Sequence, residues 1–274
     1  MSFITTKLNN DVEIPVLGLG VYLTTDYEEM KNSVKWAFEA GYTSFDTAQM
    51  YKNEHLLGQA ISVLGLNRQD LFITSKVNLE NMGYENTIRS FDESLGKLKT
   101  DYLDMFLVHW PGQQKERLIQ TYKAMEFLYK NGKIRAIGVC NCEPKHLDWI
   151  LDDCEIIPAV NQVERHPLLN ENSLFDWCSK KSIKLEAWSP LIRGNFDNPK
   201  ISTIAQKYGK TSAQVILRWD IQSGYIVIPK SVHRERIFEN ANIFDFELSQ
   251  EDMEILNDMD AGHRTSYDPV TFDF

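Results

Sequence analysis

The chain has no stretch approaching the roughly 20 consecutive apolar residues of a membrane-spanning helix. It also has no Cys-x-x-Cys pair and no excess of basic charge. Each absence removes a class of function. The opening residues, Met1-Ser-Phe-Ile-Thr-Thr-Lys7, lack a charged head, an apolar run and a cleavage site. A soluble, cytoplasmic protein is therefore expected. Against 29 Lys and Arg stand 39 Asp and Glu, a formal charge of −10. That balance argues against nucleic acid or an anionic membrane as a partner, since both need a basic face. Four cysteines, Cys140, Cys142, Cys154 and Cys178, have no zinc spacing and no His partner. They are expected as reduced core thiols, and no metal site is expected. No Ser/Gly-rich linker, composition shift or low-complexity run divides the chain, so a single domain over residues 1–274 is expected.

What is present is alternation. Short β-rich runs fall at residues 43–46, 71–75, 102–108, 134–139, 159–163, 183–188, 226–228 and 243–244. Amphipathic segments lie between them at 26–40, 54–64, 84–98, 115–131, 144–151, 171–180, 212–223 and 234–240. In the first of these Asp26 suits the N-cap, Met30, Val34, Ala37 and Phe38 share a face, and Gly41 is the stop. Strands separated by helices pair in parallel through right-handed crossovers. Eight such units predict an α/β fold, a (β/α)8 TIM barrel, whose usual length of about 250 residues fits. Residues 3–6 and 12–14 flank Asn9-Asn10-Asp11 and read as an N-terminal β-hairpin. Gly18-Leu-Gly20-Val-Tyr-Leu23 begins like a dinucleotide fingerprint but has no third glycine, and is read as a turn. Gly209-Lys210-Thr211 resembles the end of a P-loop, yet Ile204 stands where that motif needs its first glycine.

The chemistry-bearing residues sit where strands end. Asp46 closes the first predicted strand, Lys76 follows the second, His109 closes the third, and Tyr51 lies shortly beyond Asp46. In a parallel barrel these ends converge on the face that holds active sites. Singly, each could be a structural ion pair or a packed core residue; together they predict one pocket. A lysine beside a phenol is expected to lower its pKa from about 10. Asp46 would hold Lys76 and keep it charged, and His109 would donate to a carbonyl oxygen or orient it. The set is a proton donor aimed at an alkoxide forming on a polarised carbonyl. A Schiff-base lyase on Lys76 is the competing chemistry, disfavoured because Asp46 keeps the amine protonated. Farther along, Lys230-Ser-Val-His-Arg-Glu-Arg236 suits either a phosphate at a helix start or a solvated helix face.

Several runs, in order, resemble the aldo-keto reductase family: Phe45-Asp-Thr-Ala-Gln-Met-Tyr51-Lys-Asn-Glu54, Phe72-Ile-Thr-Ser-Lys76-Val, and Asp101-Tyr-Leu-Asp-Met-Phe-Leu-Val-His109-Trp-Pro111. The resemblance continues through Gly132-Lys-Ile-Arg-Ala-Ile-Gly-Val-Cys-Asn141, Trp188-Ser-Pro-Leu191 and Ile228-Pro-Lys-Ser231, ending near Phe274. The pattern is most similar to the bacterial aldehyde and 2,5-diketo-D-gluconate reductase-like members. The resemblance implies the barrel, NADPH/NADP+ as cofactor, a monomer, and the catalytic set Asp46, Tyr51, Lys76 and His109, with Tyr51 as general acid. It implies 2′-phosphate contacts from Lys230, Ser231 and Arg236, adenine contacts from Glu239 and Asn240, and a pyrophosphate turn at Ser189 to Leu191. It also implies carboxamide contacts from Asn141 and Gln162, with Trp188 stacked on the nicotinamide.

The sequence departs from the family where Cys140 replaces a Ser, Asn78 a frequent Trp, and Val21 a frequent Thr. Tyr22, Asn78 and Trp110 are the expected substrate walls. The short connection from Trp110 to the helix near Lys115 suggests an open pocket for small aldehydes, α-dicarbonyls or sugar-derived carbonyls. A nicotinamide-binding regulatory barrel with little turnover is the alternative.

Overall fold

The computed structural model describes residues 4–273. Phe3, placed in the predicted hairpin, and Phe274 lie outside the described residues. The hairpin forms between β1 (Thr5–Lys7) and β2 (Glu13–Pro15), with Thr6 opposite Ile14 and Asp11 turning the chain at φ 63°. Its loop is pinned underneath the barrel. Asn9 Nδ2 donates to Pro158 O at 3.0 Å and Asn10 Nδ2 to Arg135 O at 2.9 Å.

The barrel is a ring of parallel strands: β3 (Leu19–Gly20), β4 (Ser44–Asp46), β5 (Phe72–Val77), β6 (Leu103–Val108), β7 (Ile134–Cys140), β8 (Val160–Glu164), β9 (Lys184–Trp188) and β10 (Ile226–Val227). Each pairs with the next. Parallel bridges Leu17 to Val227 and Gly20 to Lys230 close the ring. Around it lie α1 (Tyr27–Glu39), α2 (Glu54–Val63), α3 (Tyr84–Leu98), α4 (Lys115–Lys130), α5 (Pro144–Asp153), α6 (Asn172–Ser179), α7 (Pro199–Tyr208), α8 (Ser212–Gln222), α9 (Arg234–Ala241) and α10 (Gln250–Asn257). This is the (β/α)8 barrel. In β4, β5 and β6 every residue is buried, because helices cover one face and the barrel interior fills the other. The α1 signals hold: Asp26 accepts from Glu29 N at 2.9 Å and Gly41 reverses the chain at φ 102°. Among the described residues no helix is long and apolar enough to cross a membrane, and the four cysteines are free thiols.

The strand count holds but two identities change. The glycine-rich stretch read as a turn carries β3, the strand on which the barrel closes. Gly18 N donates to Val227 O at 2.9 Å and Gly20 N to Pro229 O at 3.1 Å. Residues 243–244, expected as the eighth strand, connect α9 to α10 instead. Ile243 is wholly buried and its carbonyl accepts from Arg218 Nη1, so its apolarity serves helix packing rather than a sheet. Consequently Asp46, Lys76 and His109 belong to the ends of the second, third and fourth barrel strands. Two helices, α7 and α10, went unassigned in the sequence. The rejected P-loop is a helix junction, where Gly209 ends α7 at φ 63° and Thr211 caps α8 by accepting from Gln214 N.

Glycine is required at the seam. A Cβ on Gly20 would lie 2.9 Å from the backbone oxygen of Ile228, and backbone cannot yield as a side-chain tip can. Gly20→Ala is expected to lower stability by about 1–3 kcal/mol, read from urea unfolding. An unchanged midpoint would mean that the seam is not tightly packed.

Candidate active site

The C-terminal strand ends open into a cavity of about 1060 Å³. Its floor is built on a buried ion pair. Lys76 Nζ lies 2.5 Å from Asp46 Oδ1, donates to Thr47 O at 2.9 Å, and reaches Tyr51 Oη at 3.4 Å. Lys76 is fully buried and does not line the cavity; Asp46, Tyr51 and His109 do. Burial alone would depress the lysine, but Asp46 at contact distance more than reverses that and holds its pKa above the usual lysine value. An ammonium sealed behind Tyr51 cannot serve as an amine nucleophile, which removes the structural basis for a Schiff-base lyase.

Tyr51 stands on a short 3-10 turn, Gln49–Tyr51, that follows β4. Gln49 fixes the turn: its Nε2 donates to Ser90 O at 3.0 Å and its Oε1 accepts from Asn78 N at 2.9 Å. Asn78, expected in the substrate wall, is therefore not among the cavity-lining residues and instead braces the tyrosine turn. Asn53 braces it from the other side by donating to Val21 O and Thr24 O.

The expected depression of the tyrosine pKa does not occur. Burial pushes the phenol up to about 12, outweighing the opposing pull of Lys76. At neutral pH the group is a protonated phenol. His109, with its ring centroid 5.5 Å from that of Tyr51, is held well below the usual histidine value by burial and then by Lys76. Its imidazole is neutral, and its Nδ1 is buried without a hydrogen-bond partner.

Beyond this set, Asn141, Gln162, Trp188, Ser189, Leu191, Lys230, Ser231, Arg236, Glu239 and Asn240 all line the same cavity. Asn141 at φ 57° and Ser189 at φ 50° hold left-handed backbone, a strain typical of functional turns. Asn141 accepts from Trp188 Nε1 at 2.9 Å and donates to His109 O at 3.1 Å, tying the indole to the histidine strand. Gln162 Nε2 is shared between Asp46 Oδ2 at 2.9 Å and Glu186 Oε2 at 2.7 Å. Cys140 offers Gln162 Oε1 only a weak S–H contact at 3.9 Å. Tyr22 and Trp110 line the cavity as expected, with Tyr22 4.9 Å from Tyr51 between ring centroids.

Two parts of the site were missed in the sequence. Glu186 is wholly buried beneath it; the clue was period-two parity, which puts Glu186 on the same inward face as Trp188. The second is the C-terminal segment. Thr265 N and Oγ1 both donate to Glu164 Oε1, and Tyr267 and Phe272 stack together against Trp110. The C-terminal segment thus lines the cavity beside Trp110, whereas the short connection after Trp110 contributes no lining residue.

The sequence model of the aldo/keto reductase family matches residues 16–261. The chain is 51% identical over 266 residues to glyoxal reductase from Bacillus subtilis (strain 168), covering 97% of this chain and 96% of that protein. The chain belongs to the aldo/keto reductase family. It is 40% identical over 269 residues to methylglyoxal reductase DkgA from Escherichia coli O157:H7, covering 97% of each. A solved structure of a Gox0644 mutant in complex with NADPH superposes with a TM-score of 0.95 at 36% identity, over 100% of both chains. As a member of an oxidoreductase family, this aldo/keto reductase shares the fold of a structure that holds NADPH.

Glu186 gives the site a pH signature. Burial, then the facing charge of Asp46, pushes its carboxyl up to about 7 from 4.5. A carboxyl raised on folding stabilises the fold below its unfolded value and gives that up as pH rises through the folded value. The stability advantage of Glu186→Gln over the parent should therefore grow between pH 4.5 and about 7 and then level off. Thermal melts across that window check this, and a pH-independent difference would contradict it.

Proposed function

We propose that this aldo/keto reductase is an NADPH-dependent reductase of aldehydes and ketones, acting on small aldehydes, α-dicarbonyls and sugar-derived carbonyls. The supporting observation is a protonated phenol at the cavity wall, backed by a paired, buried ammonium. The whole site is carried by one domain in this reading.

The residues fit the cofactor. Lys230 and Arg236 line the cavity and form no ion pair among the described residues. They stand beside the start of α9, whose N-cap His233 makes no side-chain cap, so its first amides are open to a phosphate. When bound, NADPH supplies the hydride. Lys230, Ser231 and Arg236 would hold the 2′-phosphate, Glu239 and Asn240 the adenine, and the turn from Ser189 to Leu191 the pyrophosphate. Trp188 would face the nicotinamide, and Asn141 and Gln162 would hold its carboxamide.

Tyr51 gives its phenolic proton to the carbonyl oxygen. Lys76 then stabilises the phenolate left behind, an electrostatic role that needs a permanently charged, desolvated ammonium. Asp46 holds Lys76 in place. His109, as a neutral imidazole, donates to the carbonyl oxygen from the nitrogen opposite its unpartnered Nδ1. A glyoxal-type substrate agrees with the names of the relatives above.

Tyr51→Phe should retain NADPH binding by fluorescence titration while losing at least about a hundredfold in kcat, the scale of positioned proton transfer. Near-normal turnover by that variant would remove Tyr51 from the acid role. Absence of substrate-dependent NADPH consumption in the parent would instead favour the regulatory barrel. Arg236→Ala should weaken NADPH about tenfold or more, as expected for a charge-assisted contact, and leave NADH little changed. Equal weakening of both would overturn the phosphate assignment.

A further inference from the structure

The cations around the cavity fall into two groups. Those beyond β9 and β10, namely Arg193, Lys230 and Arg236, form no ion pair among the described residues. The cation over the ends of β7 and β8 is Arg264, and it is committed. Its Nη2 lies 2.8 Å from Glu171 Oε1 and 3.7 Å from Glu143 Oε1, with 24% of the side chain exposed. Glu143 closes the turn from β7 into α5, and Glu171 opens α6. They reach Arg264 from two neighbouring strand ends.

The surroundings add more negative charge. Beside Arg264, Thr265 is held by Glu164, which also lies 3.3 Å from His166 Nε2. Asp268 acts electrostatically on Glu143, and Asp260 on Glu171. At the reacting centre Lys76 is neutralised by Asp46. Aromatic rings also line the cavity, Tyr22 against Tyr51 and both Tyr267 and Phe272 against Trp110. A carboxylate on a substrate entering past Arg264 would lose its water and find that guanidinium already held by two glutamates, so the cost that paired burial normally offsets is left standing there. An uncharged carbonyl compound would meet no such penalty.

We propose that Glu143 and Glu171, by holding Arg264, are specificity-determining residues that restrict the site to uncharged carbonyl compounds and exclude aldehydes and ketones bearing a carboxylate. This rests on the carbonyl-reductase reading and narrows it: α-dicarbonyls and neutral aldehydes are substrates, 2-oxo acids and sugar-acid ketones are not. Glu143 and Glu171 touch no substrate; they act by occupying the guanidinium.

Matched aldehydes that differ in charge test this at low ionic strength: butanal against succinic semialdehyde, and 4-nitrobenzaldehyde against 4-carboxybenzaldehyde. In the parent, kcat/KM for each carboxylate should fall about tenfold or more below its neutral partner, mostly through KM, a penalty of about 1.4 kcal/mol. The Glu143→Gln/Glu171→Gln double variant should recover most of that ratio through a lower KM for the carboxylates. Adding Arg264→Met to the double variant should abolish the recovery. A structural disturbance alone would lower both partners and leave the ratio in place. Equal parent activity on both members of each pair, or a ratio unmoved in the double variant, overturns the inference while the reductase reading stands. Failure to reduce the neutral aldehydes overturns both.

Discussion

A lysine with no exposed surface must be paired to exist as an ammonium, and the geometry of the site follows from how Lys76 is paired. Removing both ions of the Lys76–Asp46 pair from water costs several kcal/mol per ion, offset only if the remaining donors and acceptors are also used. They are: Thr47 O and Tyr51 Oη take the other lysine protons, and Gln162 covers the second oxygen of Asp46. These partners come from the end of β4, the tyrosine turn and β8. The pair therefore sets the relative positions of β4, β5, β8 and the tyrosine turn, and loosening any one of them would leave a buried charge unsatisfied.

The same pair accounts for the opposite protonation of its two neighbours. Tyr51 and His109 both lose solvation, and desolvation favours the neutral form of each, a phenol in one case and an imidazole in the other. Lys76 pulls the phenol down and the imidazole down alike. For His109 this reinforces burial, whereas for Tyr51 it partly cancels it. The outcome is two neutral groups side by side, with a paired ammonium buried behind them. Asp46 adds to this balance: its charge raises the phenol and so opposes the pull of the ammonium it holds.

The fold and the meeting of Asp46, Tyr51, Lys76 and His109 at one place were largely legible because both rest on local signals. Strand parity and short β-rich runs mark β4 to β9, and chemistry-bearing residues at strand ends need no tertiary knowledge to notice. What escaped depends on distant backbone. Leu19–Gly20 has no strand-like composition; it is a strand because Val227 and Pro229 bring their carbonyls within bonding distance, and glycine is what allows that approach. Ile243 looks like a strand residue because apolar burial is common to sheets and helix junctions. The tyrosine pKa direction was misread for a similar reason. The lysine was visible in the sequence, but the depth of burial that outweighs it was not. Asn78 sat at a family wall position by alignment of motifs, while its backbone amide was committed to Gln49.

Net charge takes its meaning from where each cation can remain unpaired. A cation with no exposed surface must bring its own anion, as Lys76 does with Asp46 and Arg165 with Asp220. Toward the open groove past β10, Lys230 and Arg236 keep contact with solvent and can stay free until an anion arrives. Arg264 is intermediate, one quarter exposed yet held by two glutamates. Its pairing is thus not forced by burial as that of Lys76 is, since water could solvate much of a partly exposed guanidinium. An arrangement that solvation does not require, at the mouth of a reaction cavity, has its clearest physical consequence in which ligand charges can enter. In the proposed reading, an acidic protein accepts a phosphate at one end of a groove and turns away a carboxylate at the other, with no change in overall charge.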